Sequence, residues 1–183
     1  MLALWIVLGV VALLVIFVIA TYNGLVGLRN RIDNAWSQID VQLRRRYDLI
    51  PNLVETVKGY AAHEKQLFEN VAHARSAGIA ATSVTEQAQA ENAITQALRQ
   101  LLAVSEAYPD LKANQNFLAL QEELTGTEGR IAFARQFYND QVLIFNNKVQ
   151  QFPSNVIAGM FSFAARDFFE VEEAATGPVN VQF

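Results

Sequence analysis

Two histidines, His63 and His73, are the chain's whole supply of imidazole, and cysteine is absent. Disulfides, thiolate metal sites and cysteine nucleophiles are therefore excluded. His63-Glu64 matches the start of the zinc-binding H-E-x-x-H pattern, in which two histidines one helical turn apart share a metal. Residue 67 is leucine, so that pattern fails. Glu69 and His73 stand four apart on one helical face, whereas di-iron bundles use Glu-x-x-His, and use it twice. A metal-dependent enzyme or sensor using His63, Glu69 and His73 is the alternative to the plainer reading of solvated surface groups, which is preferred. Glu122-Glu123 and Glu172-Glu173 are adjacent in sequence, so on a helix each pair diverges by about 100°. They read as solvated charges. No phosphate-binding loop, dinucleotide turn or nucleophile elbow is present. No catalytic residue and no cofactor is expected.

The run Arg44-Arg45-Arg46 invites a lipid-headgroup reading, but screening confines such attraction to about 8 Å. A straight helix leaving a bilayer at Ala20 would carry Arg44 about 36 Å away from it. Pairing with carboxylates on neighbouring helices is the favoured role, and a partner-binding patch comes second. Near the C-terminus Met160, Phe161, Phe163, Phe168 and Phe169 cluster. They predict aromatic closure of a bundle end, or else an apolar patch for a partner or the membrane surface. The net charge of -4 argues against nucleic acid as a partner.

The elements that would position these groups begin with a membrane anchor. Leu2 to Ala20 reads LALWIVLGVVALLVIFVIA and has no charge. At about 1.5 Å per residue it spans about 29 Å, close to the hydrocarbon core of a bilayer. A cleaved signal peptide is the rival, but the segment lacks a basic n-region and its apolar run is too long. Trp5 and Tyr22 sit near the two ends, as interfacial aromatics do. Arg29 and Arg31 follow the span and no basic side chain precedes it. The positive-inside tendency then places the N-terminus outside and the remainder in the cytoplasm.

Beyond the anchor the pattern is α-helical. Glycine and proline are scarce, at 9 and 4. An apolar stripe from Leu25 to Ala74 runs at helical spacing through Leu43, Ile50, Leu53 and Val57, close to a coiled-coil heptad seam. Pro51 must either kink this helix or mark a hairpin near Asp48-Leu49-Ile50; the unbroken phase of the stripe favours the kink. Ala77 to Thr82 reads as a connection. Ser83-Val84-Thr85-Glu86 predicts a capping box opening a helix that runs to about Ala107. Tyr108-Pro109-Asp110 ends it. A third helix spans roughly Lys112 to Gln151, with Gly126 and Gly129 inside it as signs of close packing or a kink. A short helix follows through Phe163, and the end of the chain looks irregular.

The fold class expected is therefore all-α: an N-terminal transmembrane helix over residues 1–28, an antiparallel up-and-down bundle over 29–163, and a tail over 164–183. The third helix outruns the second, so part of its stripe lacks a neighbour. That motivates homo-oligomerisation or a protein partner.

The run from Asn34-Ala35-Trp36 through Arg44-Arg45-Arg46-Tyr47-Asp48-Leu49-Ile50-Pro51-Asn52-Leu53, and on to Lys58-Gly59-Tyr60, closely resembles the signature of the LemA family. Ala113-Asn114, Gln121 to Leu124, Thr127-Glu128, Ala134-Arg135, Tyr138-Asn139 and Phe152-Pro153 match it as well. The resemblance implies a bacterial inner-membrane protein with an N-terminal anchor and an antiparallel helical bundle, and it supplies no catalytic residues. Trp36, Asp40, Arg45, Asp48 and Asn52 lie in the most distinctive stretch and are the candidate interaction residues. The function expected is that of a non-enzymatic structural or docking protein held in the lipid bilayer by residues 2–20.

Overall fold

The computed structural model describes residues 1–170, and these hold helices and no strand. The order is α1 (Leu2–Lys58), α2 (Lys65–Ala80), α3 (Val84–Glu106), α4 (Pro109–Lys112), α5 (Gln115–Gln150) and α6 (Ser154–Met160). The start of α1 is long and apolar enough to cross a membrane, and none of its apolar window is buried by the rest of the chain. Burial begins at Thr21 and Leu25, just where that segment ends. Glu172-Glu173 and Thr176-Gly177-Pro178 lie outside the described residues.

The chain divides into two compact units, and both α1 and α5 contribute to each. In the first, residues 1–39 join 134–167. Leu25, Ile32, Ala35 and Ile39 of α1 are buried, as are Ala134, Tyr138, Val142 and Phe145 of α5. The helices run antiparallel: Gly24 lies by Lys148, while Trp36 packs on Tyr138 with ring centroids 5.5 Å apart. The segment after α6 is strapped to α5. Asn146 accepts from the Arg166 amide (2.8 Å) and donates to its carbonyl (2.9 Å), and Tyr138 Oη donates to the Asp167 carbonyl (3.0 Å).

In the second unit, residues 40–133, α2 and α3 pack as a hairpin. Leu43, Ile50, Leu53 and Val57 of α1 are buried together with Leu67, Val71, Ile94, Leu98, Leu101, Phe117 and Leu124. The α1–α5 pairing is antiparallel here also. Arg45 meets Glu123, and Tyr60 meets Asn114.

Pro51 does not reverse the chain; α1 continues through it to Lys58. Proline removes the amide that would bond the Tyr47 carbonyl. Arg75 of α2 supplies a donor instead, its Nε standing 2.8 Å from that oxygen. The stripe nevertheless does not run as one helix to Ala74. The reversal falls at Gly59 to Glu64, where the Tyr60 and Ala61 amides both turn back onto the Val57 carbonyl (3.0 and 2.9 Å).

The expected connection over Ala77 to Thr82 is also corrected, because α2 extends through Ala80. The apolar pattern fades there because the helix packs through Gly78. A Cβ on Gly78 would lie 2.7 Å from Tyr47 Oη and 3.0 Å from Ile94 Cδ1. The capping box of α3 forms as expected, with the Glu86 amide donating to Ser83 Oγ at 3.1 Å and Glu86 returning a bond to the Ser83 amide. Amide donation from Thr82 and Ser83 holds the Glu86 carboxyl below its ordinary pKa. Tyr108-Pro109 ends α3 and opens the one-turn α4. Asn114 Oδ1 then caps α5 at the Asn116 and Phe117 amides (2.9 and 3.1 Å).

Gly126 and Gly129 lie in α5 with no neighbour within 4 Å of a built Cβ. They mark neither close packing nor a break. Most of the α5 stripe is covered within the chain: Phe117, Leu124, Ile131, Ala134, Tyr138, Val142 and Phe145 are buried, while Leu120 and Val149 are half-buried and Phe152 just beyond α5 is exposed.

The glycines yield opposite outcomes. Gly78→Ala should destabilise the fold by roughly 1–3 kcal/mol through overpacking against a tyrosine ring. Gly126→Ala should stabilise it by about 0.5–1 kcal/mol, as alanine does in an open helix interior. Urea unfolding of each variant beside the parent measures both.

Candidate functional site

The polar centre of the second unit is built on consecutive residues of α1. Leu43 and Ile50 are buried, and a helix places positions 46 and 47 on the face they share. Arg46 and Tyr47 consequently point inward. On α3, Gln87 and Glu91 fall in phase with Ile94 and Leu98 and are buried as well. The Arg46 and Glu91 side chains are 2 % and 3 % exposed, and Arg46 Nη1 stands 2.6 Å from Glu91 Oε2. Arg46 Nη2 donates to Thr95 Oγ1 at 2.9 Å. Tyr47 Oη donates to Glu91 Oε1, and Gln87 Nε2 donates to Tyr47 Oη (2.6 Å) and to Glu91 Oε1 (3.1 Å). From α5, Glu128 Oε1 lies 2.8 Å from Arg46 Nε, a charge contact without the alignment of a hydrogen bond.

This is a buried ionic network in which one guanidinium meets two carboxylates. Burial, reinforced by the Glu91 bond, holds the Tyr47 phenol far above its usual pKa, so it stays a donor. Burial also raises the Glu128 carboxyl; Arg46 opposes that rise and Glu91 adds to it. The arrangement is suited to fixing α1, α3 and α5 in register. Of its charged members only Glu128 reaches the surface, its side chain 39 % exposed.

The five candidate interaction residues do not converge. Trp36 belongs to the first unit and is half-buried against Tyr138. The other four lie in the second unit. Asp40 is half-buried and pairs along the helix with Arg44 at 2.9 Å. Arg45 is exposed, its Nε 2.8 Å from Glu123 Oε1. Asp48 and Asn52 are exposed. Arg45, Asp48 and Asn52 share one face at helical spacing. Asn52 lines a shallow groove of about 500 Å³ with Leu49 and Thr56 of α1 and Asn116, Ala119 and Leu120 of α5; Glu123 stands at its Arg45 end. The triple-arginine run thus does pair with carboxylates, but its members differ. Arg44 stays on its own helix, Arg45 bridges to α5 at the surface, and Arg46 is core.

His63 lies exposed in the turn after α1, and Glu69 and His73 are exposed on α2. Among the described residues no group of three or more His, Asp or Glu side chains is placed to hold a metal ion. His73 borders a wider groove of about 850 Å³ between α2 and α3, floored by Ala74, Ala77, Ala90 and Ala97. Sequence reasoning missed Tyr47, Gln87, Glu91 and Arg75. The phase of Gln87 and Glu91 with Ile94 and Leu98 was a usable signal for two of them. Nothing in the spacing marks Arg75, whose role depends on where α2 crosses the Pro51 site.

The LemA family model matches residues 35–183. The magnetosome protein MamQ 2 of Paramagnetospirillum magneticum is 26% identical over 184 residues, covering 86% of this chain and 68% of that protein. The magnetosome protein MamQ of Magnetospirillum gryphiswaldense is 24% identical, with the same coverage. Protein LemA of Metamycoplasma hominis is 27% identical over 155 residues, 82% of this chain and 69% of that protein. The chain belongs to the LemA family.

Removing Glu91 leaves the buried Arg46 with only the half-exposed Glu128 and takes the acceptor from Tyr47 and Gln87. Glu91→Ala should therefore cost about 3–5 kcal/mol, and the double change Arg46→Met with Glu91→Leu should recover most of it. Chemical denaturation of the three proteins tests this. Because the folded protein raises the Glu128 pKa, the stability tied to that group is complete below the unfolded value and is lost as pH rises through the folded one. Glu128→Gln should flatten that part of the stability–pH curve.

Proposed function

We propose, with membership of the LemA family as the premise, that this chain is a non-enzymatic docking protein. It is held in a bacterial inner membrane by one span, and its bundle serves as an interaction or oligomerisation surface. The observation that carries the reading is the continuity of α1. Its apolar first part packs on nothing in the chain, and the same unbroken helix then supplies core residues from Thr21 to Val57. Such a segment is stable in lipid, where its backbone bonds are satisfied internally and its side chains match the solvent. Arg29 and Arg31, with no basic residue before the span, favour an outside N-terminus and a cytoplasmic bundle.

The docking part of the reading rests on the exposed face of the signature helix. Arg45, Asp48 and Asn52 occupy one face beside a groove, and Asp48 and Asn52 point to solvent. A catalytic reading lacks comparable support. Arg46 and Glu91, the centre of the ionisable groups that do converge, are buried, and the relatives' names describe no activity.

Light scattering of the detergent-solubilised full chain, corrected for bound detergent, is expected to give a defined multiple of the 20.4 kDa chain or a complex with a second protein. Asp48→Ala and Asn52→Ala should leave stability within about 0.5 kcal/mol of the parent, as surface changes usually do, yet weaken that association. A reproducible turnover abolished by a point change that spares the fold would overturn the reading.

A further inference from the structure

We propose that the corner joining α5 to α6, from Phe152 to Phe161, is a second membrane contact: an apolar foot lying in the headgroup region of the bilayer that α1 crosses. The inference rests on the membrane-anchor reading and adds to it a separate surface.

The corner is built inside out for a water-soluble element. Ile157 and Ala158 face inward and are buried, while Phe152 is 82 % exposed, Met160 69 %, Val156 52 % and Phe161 48 %. Between Lys148 and Arg166 the sequence has no charged residue. An exposed apolar patch of this kind on a short helix marks contact with a partner or a membrane.

Its level along α1 selects the membrane. Tyr22 stands two residues beyond the apolar run, about 3 Å further along the axis. The rings of Phe161 and Phe163 lie 4.7 and 5.8 Å from the Tyr22 ring. These three aromatics therefore sit where the span meets water, the depth that the amphipathic ring of Tyr22 favours. Basic groups ring the same level. Lys148 Nζ is 3.9 Å from where a Gly24 Cβ would stand, and Arg29 lies 5.6 Å over the Phe163 ring. Among the described residues Lys148 has no carboxylate partner. An apolar foot with a cationic collar complements a layer of acyl chains topped by phosphates. A second copy facing it would bring like charge against like.

The chain has no cysteine, so single nitroxide labels can be placed without background. The full-length protein, labelled at Val156→Cys or Met160→Cys, is reconstituted in phosphatidylcholine–phosphatidylglycerol vesicles. Collisions with dissolved oxygen, which enriches in lipid, are compared with those of a water-soluble nickel chelate. Leu8→Cys serves as the anchor control and Gln136→Cys, exposed on α5, as the aqueous control; circular dichroism checks each fold. At both corner sites the oxygen-to-nickel ratio should rise well above that at 136 and stay below that at 8. Corner sites as aqueous as 136, with 8 immersed, would overturn the foot and leave the anchor standing. An aqueous signal at 8 would remove the anchor and the foot together. Shielding of the corner from both reagents would mean that protein covers it, and dipolar broadening lost on dilution with unlabelled chain would identify a second copy; either result overturns the proposal.

Discussion

A proline on α1 and the carbonyl it strands set the arrangement of the second unit. The Tyr47 carbonyl loses its helical partner to Pro51, and a buried acceptor without a donor is costly. Arg75 can reach it only when α2 lies across α1 at that level. The same Tyr47 carries its hydroxyl to Glu91 on α3 and meets Gly78 of α2 at a separation that admits no Cβ. One residue therefore ties α2 through its backbone oxygen and through its ring, and α3 through its phenol. Arg46, next in the chain, adds Glu91 again and Glu128 of α5. Greasy ridges alone would allow these helices to slide by a turn at small cost. A dry network of directional bonds does not, because each slipped register leaves a charge or a carbonyl unpaired.

That division sorts the residues of a conspicuous motif by their place in the fold. In the run from Arg44 to Leu53, the residues Arg46, Tyr47, Ile50 and Leu53 are buried, whereas Arg44, Arg45, Asp48, Pro51 and Asn52 are exposed. The buried half fixes the fold. Of the exposed half, Arg44 and Arg45 form surface ion pairs with Asp40 and Glu123, while Asp48 and Asn52 face solvent. A motif of this sort concentrates distinctive residues on one stretch of helix because two surfaces of that stretch have separate constraints.

Much of this was legible in the residues. The length of the apolar N-terminal run, the Ser83–Glu86 capping box and the helical spacing of α5 each follow from local chemistry, and the structure has each of them as a helix or its cap. Helix α1 continues through Pro51, as the phase of the stripe favoured, but the reversal after Lys58 shows the limit. Periodicity reports which face is buried, and the phase continues past Lys58 because Ala61, Leu67 and Val71 are buried again on α2. A chain that turns while keeping its apolar phase looks straight in sequence. Gly78 misleads in the same way. Glycine as a breaker and glycine as a contact have the same letter, and only the position of Tyr47 distinguishes them. The network partners on α2 and α3 are long-range, so their roles depend on helix crossings that no local pattern encodes.

The absence of a hinge bears on how such a protein would work. A flexible linker after a membrane span lets the attached domain sample a wide volume, and any partner within reach can be met at any angle. Here Gly24 and Gly27 follow the span closely, yet both lie within the continuous α1, and the first unit braces the helix from Tyr22 onward. Trp36 on Tyr138, the Asn146 bonds to Arg166, and the ion pair of Arg166 with Asp33 at 3.3 Å hold α5 and its following strap against that stretch. A braced helix holds its apolar first part in a set direction relative to the core of the first unit. The direction of that apolar run is then a property of the first unit's core packing, so changes to that core would alter it without altering the run itself.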